Sequence, residues 1–314
     1  MKRLCFLYLL LMAFPAFAAK LPGIPEFIDE MVEKHQFKRE ELVRLFDLAN
    51  EKPVIIEAIS RPIAAKPWPE YRASFVNRYR IEQGLLFWKK YRKTLARAER
   101  TYGVPQEIIV ALIGVETLYG RQTGNFRTID ALTTLAFDYP RRADFFRDEL
   151  ENYLLLAREQ QLDLLDVKGS YAGALGIPQF MPSSYRKYAV DFNGNRKKNL
   201  MGEVPDAIGS VGNYLKNYGW IRGGRIALRA NVTDAKSLDD AAHDLDEWVK
   251  VGVTPITAVK SDEASRLLSY TVQDGKEFWL AFNNFDVIMR YNNSDYYAMS
   301  VFQLAKALKS ARQR

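Results

Sequence analysis

Glu116 closes the stretch Ile108-Ile109-Val110-Ala111-Leu112-Ile113-Gly114-Val115. At helical spacing Ile109, Leu112, Ile113 and Glu116 share one face, because residues three and four apart are neighbours on a helix. A carboxylate on an apolar face has two readings. It is a structural group that turns to water or pairs with an arginine, or it is a proton donor whose pKa is raised by apolar surroundings. A second candidate is the run from Lys168 to Ala189, where Gly169, Gly173 and Gly176 precede Gln179, Phe180 and Met181. Glycine permits close backbone approach, and Gln and Tyr side chains can hydrogen-bond sugar hydroxyls and amides beside an aromatic surface. The same composition also suits an ordinary packed turn between helices. Other chemistries are poorly supplied: the histidines are His35 and His243, both in charged segments, which disfavours a Ser-His-Asp site or a His-rich zinc site. No phosphate loop and no dinucleotide fingerprint occurs. Carboxylate chemistry remains, and glycosides are its natural substrates.

The elements that must hold these residues are mostly helical. Phe27 and Met31, then Leu42, Leu45 and Phe46, mark two early helices; residues 60–72 carry three prolines and interrupt the pattern. A long helix is expected from about Val76 to Tyr102, with Ile81, Leu85, Trp88, Tyr91 and Leu95 inward. Pro105 suits the start of the helix bearing Glu116. Further helices are expected near 128–137, 141–161 and 205–218. After Trp220 the pattern changes to strands, and Asp274-Gly275 between two apolar runs signals a hairpin. A final helix turns Val301, Leu304, Ala305 and Leu308 inward. The fold class is therefore mainly α with a small β part (α+β).

The chain has 314 residues, 48% hydrophobic and 26% charged, enough for a globular protein with a sizeable core. Residues 1–18 have a basic start, an apolar run and a small-x-small site, the layout of a secretory signal peptide. The one cysteine, Cys5, lies within it, so the mature chain has neither disulfide nor thiol chemistry, and Cys5 is badly placed for lipid attachment. Loss of Lys2 and Arg3 lowers the formal charge from +7 to +5. A basic surface favours anionic partners such as a cell wall, but no basic run interleaved with aromatics argues for nucleic acid.

Five stretches, "IIVALIGVETLYGR", "DALTTLAFDYPRRADFF", "KGSYAGALGIPQFMPSSYRKYAVDFNGN", "PDAIGSVGNYL" and "RYNNSDYYAMSVFQLA", occur in the order found in the membrane-bound lytic murein transglycosylase B family, which the chain resembles from about Trp68 to its end. The resemblance implies a lysozyme-like helical core over 96–220, an N-terminal helical domain over 19–95 joined by the C-terminal helix 296–314, a small inserted β-domain over 221–288, and a return segment from 289. It implies cleavage of the β-1,4 bond between N-acetylmuramic acid and N-acetylglucosamine without water, leaving a 1,6-anhydromuramyl end. Glu116 would act as acid and then as base, the substrate's N-acetyl oxygen assisting at C1. Ordinary glycosidases need two carboxylates about 5 to 10 Å apart, and no second one here is as convincing; Asp130 reads as a helix-start residue. By the same resemblance Ser170 and Gln179 contact the sugars around the cleaved bond, Tyr71, Tyr214, Tyr291, Asn292 and Tyr297 line the groove, and Arg141 and Arg142 face it.

The resemblance also implies an EF-hand-like calcium loop over 191–206, with Asp191, Asn193, Asn195, the Lys197 carbonyl and Asp206 at ligand positions. Here both middle positions are Asn, Arg196 replaces the loop glycine, Gly202 stands twelfth, and Lys197 and Lys198 add positive charge. Fewer anionic ligands weaken calcium binding, so the loop either holds the ion weakly or keeps its shape without it. No other cofactor is expected. The partner is the glycan strand of peptidoglycan, with the machinery of cell-wall synthesis a further candidate; the protein is expected to be a periplasmic monomer without a lipid anchor. A muramidase using water on the same fold, or a binding protein that has lost catalysis, are the alternatives left open.

Overall fold

Helical periodicity runs through the first two-thirds of the chain, and the computed structural model, which describes residues 21–60, 66–233, 241–257, 259 and 263–313, is correspondingly helical there. The signal-peptide reading of 1–18, with Cys5, lies outside the described residues. Two compact units divide between Leu48 and Ala49, earlier than the boundary at 95 expected from the resemblance. In the first, helices α1 (Ile24–His35) and α2 (Arg39–Leu48) form a hairpin. Gln36 takes the left-handed conformation that ends α1, and Phe27 meets Phe46 edge-on with centroids 6.0 Å apart.

The second unit contains α3 (Pro53–Ser60), α4 (Trp68–Phe75), α5 (Arg78–Lys90), α6 (Arg92–Tyr102), α7 (Gln106–Thr117), α8 (Thr128–Asp138), α9 (Ala143–Gln160), α10 (Pro182–Tyr188) and α11 (Val204–Asn217). The long helix expected over 76–102 is instead two. Asn77 caps α5 by accepting the Arg80 N–H at 2.9 Å, and Tyr91, with ψ of 20°, breaks the ladder between α5 and α6. Burial falls on Gly84, Phe87, Trp88 and Leu95, with Ile81, Leu85 and Tyr91 half-buried.

Helix α7 differs from a one-faced helix: every residue from Ile108 to Val115 is buried. The reason is its central position, with α5, α6, α11 and the last helix, α14 (Asp295–Arg312), packed around it. Helix α8 packs on α3 and α9, and α10 on α9. A two-residue ladder, β1 (Phe126–Arg127) with β2 (Lys168–Gly169), ties the start of α8 to the glycine-rich run.

Strands β3 (Ala227–Val232), β4 (Val253–Pro255), β5 (Arg266–Val272) and β6 (Gly275–Ala281) form an antiparallel sheet in the order β4-β3-β6-β5. The hairpin between β5 and β6 is as expected, but its turn is Gln273-Asp274, since Val272 pairs with Gly275. Gly275, at φ 123°, supplies the conformation that a side chain would resist just after the turn. One face of the sheet buries Leu280 and Ala230 against Trp248 of α12 (Leu245–Lys250), a short helix closed by a capping box between Asp244 and Glu247. Helix α13 (Asn283–Met289) leads back to α14, which packs on α4, α5 and α7. The chain thus returns its C-terminal helix to the helix that carries Glu116.

Candidate active site

The last turn of α7 is followed by an unusual backbone path. Leu118, Tyr119 and Gly120 lie at φ of 49°, 62° and 86°, so three successive residues, two of them with Cβ atoms, are left-handed. Such residues persist only where the surroundings over-determine them. Here the amide of Leu118 donates to Gly114 O and that of Tyr119 to Ile113 O, closing the helix. The Tyr119 hydroxyl donates to Arg80 O at 2.9 Å, and its ring lies against Gly84 and Gly114, where an added Cβ would collide with it. Thr117, fully buried, donates to Ile177 O at 2.7 Å and accepts the Gly120 N–H at 3.0 Å. That hydroxyl fastens the end of α7 to the glycine-rich run.

Glu116 therefore projects from a fixed helix end. The residue is only partly exposed to solvent. Burial pushes its pKa from 4.5 up to about 7, opposed by a hydrogen bond that the Tyr297 hydroxyl donates to Oε1. Among the described residues Oε2 has no partner. Tyr71 lies within electrostatic reach of Glu116, and Tyr291 and Tyr297 are held well above the ordinary tyrosine pKa, first by burial and then by Glu116. These phenols stay neutral and able to donate.

The other carboxylates of the interior are committed elsewhere. Asp130 is buried and receives Arg127 in a two-pronged pair at 2.7 and 3.0 Å, plus the Asn50 amide at 3.0 Å. It is a brace at the start of α8, as its place in the sequence suggests. Glu149 receives the Ser183 amide and hydroxyl at 2.9 and 2.6 Å. No carboxylate contributes to the shift at Glu116.

Ser170 Oγ accepts the amides of Ala172 and Ala174, which leaves its hydrogen to donate outward. Gln179 sits at φ 52°, and its Nε2 donates to Thr123 O at 3.1 Å and Gly176 O at 2.8 Å. Its Oε1 has no partner among the described residues. Tyr291 donates to Pro178 O at 2.6 Å, beside Gln179, and stacks obliquely on Tyr214 with centroids 4.9 Å apart; Tyr214 in turn donates to Arg290 O. The structure thus gathers Glu116, Tyr71, Tyr291 and Tyr297, with Tyr214 one ring behind and Gln179 attached through Pro178. No contact joins Arg141, Arg142 or Asn292 to Glu116: Asn292 is exposed, and Arg142 stacks over Phe145 at 4.2 Å. Sequence reasoning missed Thr117 and Arg80, whose guanidinium donates to Gly114 O. Thr117 could have been found from its place directly after Glu116.

In the loop over 191–206, Asp191 accepts the amides of Gly194, Asn195 and Arg196. Asp206, expected to face a metal, is instead buried and accepts the amides of Phe192 and Asn199, both at 2.9 Å. Glu203, not singled out from the sequence, meets the side-chain amides of Asn193 and Asn195. Among the described residues no group of three or more His, Cys, Asp or Glu is arranged to hold a metal, so calcium would depend on amide and carbonyl oxygens beside Asp191 and Glu203.

Known proteins are similar to this chain over nearly its whole length. The membrane-bound lytic murein transglycosylase B of Escherichia coli K12 is 42% identical over 307 residues, covering 94% of this chain and 84% of that protein. The crystal structure of soluble lytic transglycosylase SltB1 from Pseudomonas aeruginosa superposes with a TM-score of 0.88 at 47% identity, covering 93% of this chain and all of that one. The Escherichia coli lytic transglycosylase Slt35, solved in complex with calcium, gives 0.89 at 42% identity, covering 94% and 95%. The mainly helical fold is that of these enzymes. With residues 20–306 matching the model of the transglycosylase SLT domain (SLT_2), the chain belongs to that family of lytic transglycosylases.

Proposed function

We propose that this enzyme cleaves the β-1,4 bond between N-acetylmuramic acid and N-acetylglucosamine in peptidoglycan without water, releasing 1,6-anhydromuramyl products. The observation that carries this reading is the setting of Glu116, held at the end of α7 with the Tyr297 hydroxyl on Oε1 and with its pKa raised first by burial. Hydrolytic glycosidases place a second carboxylate about 5 to 10 Å away as nucleophile or base. Here Asp130 and Glu149, the obvious reserves, are saturated by Arg127 and Ser183. Near neutral pH a group titrating at about 7 is partly protonated, so Glu116 gives its proton to the leaving glycosidic oxygen as that bond breaks. The N-acetyl oxygen of the muramic acid supports C1 meanwhile. The Glu116 carboxylate then takes the proton of the C6 hydroxyl as its oxygen bonds C1, and the acid is regenerated. Tyr297 holds Oε1, which leaves Oε2 to face the substrate.

Ser170, Gln179, Tyr71, Tyr214, Tyr291 and Asn292 bind the sugars in this reading, and Arg141 and Arg142 meet carboxylates of the attached peptide. The glycine-rich run supplies an outward Ser170 hydroxyl and the free Gln179 carbonyl as donor and acceptor. The site belongs in the periplasm, reached by a cleaved signal over 1–18; no described helix is long and apolar enough to cross a membrane. The test is mass spectrometry of fragments released from purified sacculi by the mature chain. Products one water lighter than hydrolytic fragments are expected; fragments of full hydrolytic mass would make the enzyme a muramidase, and no release would leave a binding protein.

Calcium binds the loop over 191–206 weakly, through Asp191, Asn193, Asn195, the Lys197 carbonyl and Glu203 in place of Asp206. When bound, the ion supplies only structural charge neutralisation, and no step of the reaction passes through it. The oxygen donors suit a hard cation once the two asparagine amides turn their oxygens toward Glu203. Calorimetric titration should give a weak calcium site that Glu203→Gln abolishes and Asp206→Asn does not; equal binding by wild type and Glu203→Gln would reject this ligand set.

A further inference from the structure

A second cleft, of about 520 Å³, lies between α4, α14 and the face of the sheet turned away from Trp248. None of its lining residues is Glu116, Tyr297 or Tyr71, and its size suits a small ligand. Its two walls follow from strand alternation and helix spacing. Glu277 and Trp279, two apart on β6, share a face with Arg229, which pairs with Trp279 on β3. The opposite wall is Trp68 and Arg72 of α4, with Gln303 and Lys306, three apart on α14.

The charges on these walls are fixed on one side and uncommitted on the other. Trp68 Nε1 donates to Glu277 Oε1 at 2.7 Å, which orients that carboxylate. Arg72 Nε donates to Gln303 Oε1, so the guanidinium is aimed while its two terminal nitrogens have no partner among the described residues. Lys306 stands beside the rings of Phe302 and Trp279, at 5.5 and 5.9 Å, and pairs with no carboxylate among the described residues. Asp274, at the tip of the β5–β6 hairpin, is exposed and unpaired among them. Trp279 is buried, and its indole N–H has no acceptor there either. Uncommitted positive charge thus lies on the helical wall, an uncommitted negative charge on the hairpin tip, and indole surface between them.

We propose that this cleft is an accessory site for the peptide attached to peptidoglycan glycans, with Arg72 and Lys306 receiving its carboxylates and Asp274 its free ammonium group. The proposal rests on peptidoglycan being the substrate. Such peptides carry several carboxylates and, before cross-linking, a free amine, and this pairing matches the separation of charge across the cleft. A neutral sugar would leave Lys306, Arg72 and Asp274 unanswered. A purely anionic polymer would leave Asp274 unanswered, Glu277 being paired with Trp68 and Arg229.

The test uses the mature chain and a synthetic tetrapeptide, L-Ala-γ-D-Glu-meso-diaminopimelyl-D-Ala, followed by tryptophan fluorescence and calorimetry. Saturable binding is expected for the wild type. Lys306→Glu and Asp274→Lys, both at exposed positions, should each weaken it by about tenfold or more. A peptide with its carboxylates amidated should lose as much affinity toward the wild type as the acid peptide loses toward Lys306→Glu. Cleavage of peptide-free glycan should stay within about twofold in both variants, since neither residue touches the Glu116 site. Absence of binding, or equal binding by wild type and both variants, overturns the proposal. The two readings fail separately: glycan cut to anhydro ends without peptide binding removes the accessory site alone, whereas charge-dependent peptide binding without anhydro products removes the proposed reaction alone.

Discussion

Glu116 at the end of α7 and Glu149 in the middle of α9 are both glutamates shielded from water, and burial raises the pKa of each. Their partners differ. Both oxygens of Glu149 accept hydrogen bonds from Ser183, whose amide is one of the first-turn donors that α10 cannot satisfy internally. Those bonds favour the ionised form and hold α10 on α9. Glu116 receives one tyrosine hydroxyl and keeps an open oxygen. A buried carboxylate surrounded by donors becomes a brace, and one left nearly without them becomes a store for a proton. Asp130 with Arg127 and Asp206 with two backbone amides repeat the brace elsewhere.

One substitution applied at both positions should separate the two roles. On the proposed mechanism Glu116→Gln removes the proton donor and is expected to lower turnover on sacculi by about 10³-fold or more. Its stability should move the other way. The folded carboxyl titrates at about 7 and the unfolded one near 4.5, so between those values the unfolded chain binds fewer protons and stability falls as pH rises. That contribution is whole below about 4.5 and lost above about 7. Glu116→Gln escapes the loss, so by urea denaturation near pH 8 it should exceed the wild type by on the order of 2 kcal/mol, and near pH 4 by almost nothing. Glu149→Gln also escapes the cost of a raised pKa, but its damaged cap works against that by about 1–2 kcal/mol, so near pH 8 it should gain less than Glu116→Gln, with the folded fraction retaining activity within a few-fold. A gain at Glu149 equal to or above that at Glu116 would contradict the distinction.

What the sequence makes legible in this comparison is the local part. Glu116 stands out because Ile109, Leu112 and Ile113 fix the period of its helix, and the β5–β6 hairpin because Asp274-Gly275 carries its own turn chemistry. Asp130 is read as a helix-start residue for the same reason, and its bond to Arg127, three positions away, is local too. The donors that decide the fate of each carboxylate are mostly distant. Tyr297 meets Glu116 across 181 positions, and Ser183 meets Glu149 across 34. No periodicity encodes such pairings: the resemblance places Tyr297 in the groove without pairing it to Glu116, and nothing in the sequence singles out Glu149 or Ser183. The left-handed Leu118 and Tyr119 are invisible for a different reason. Their residue types disfavour that conformation, and the helix-closing bonds to Gly114 and Ile113 together with the packing of Tyr119 against Gly84 and Gly114 hold it. The break at Tyr91 has no proline or glycine to signal it.

The smallest expected effect tests the one bond that Glu116 does receive. The Tyr297 hydroxyl favours the carboxylate, so it lowers a pKa that burial alone would carry higher. Tyr297→Phe keeps the ring in its buried place and removes that bond, and the acid should then hold its proton to higher pH. Because the proposed first step needs protonated Glu116, turnover is expected to decline on the alkaline side with the group's own titration. The alkaline limb, expected near pH 7 in the wild type, should therefore move upward in Tyr297→Phe. The plateau on its acid side should fall by less than about tenfold, since the proton donor remains. A limb that stays in place while the plateau collapses would make Tyr297 a substrate contact alone. A limb that moves downward would show that the hydroxyl stabilises the neutral acid, and Glu116 would then owe its proton to Tyr297 as well as to burial.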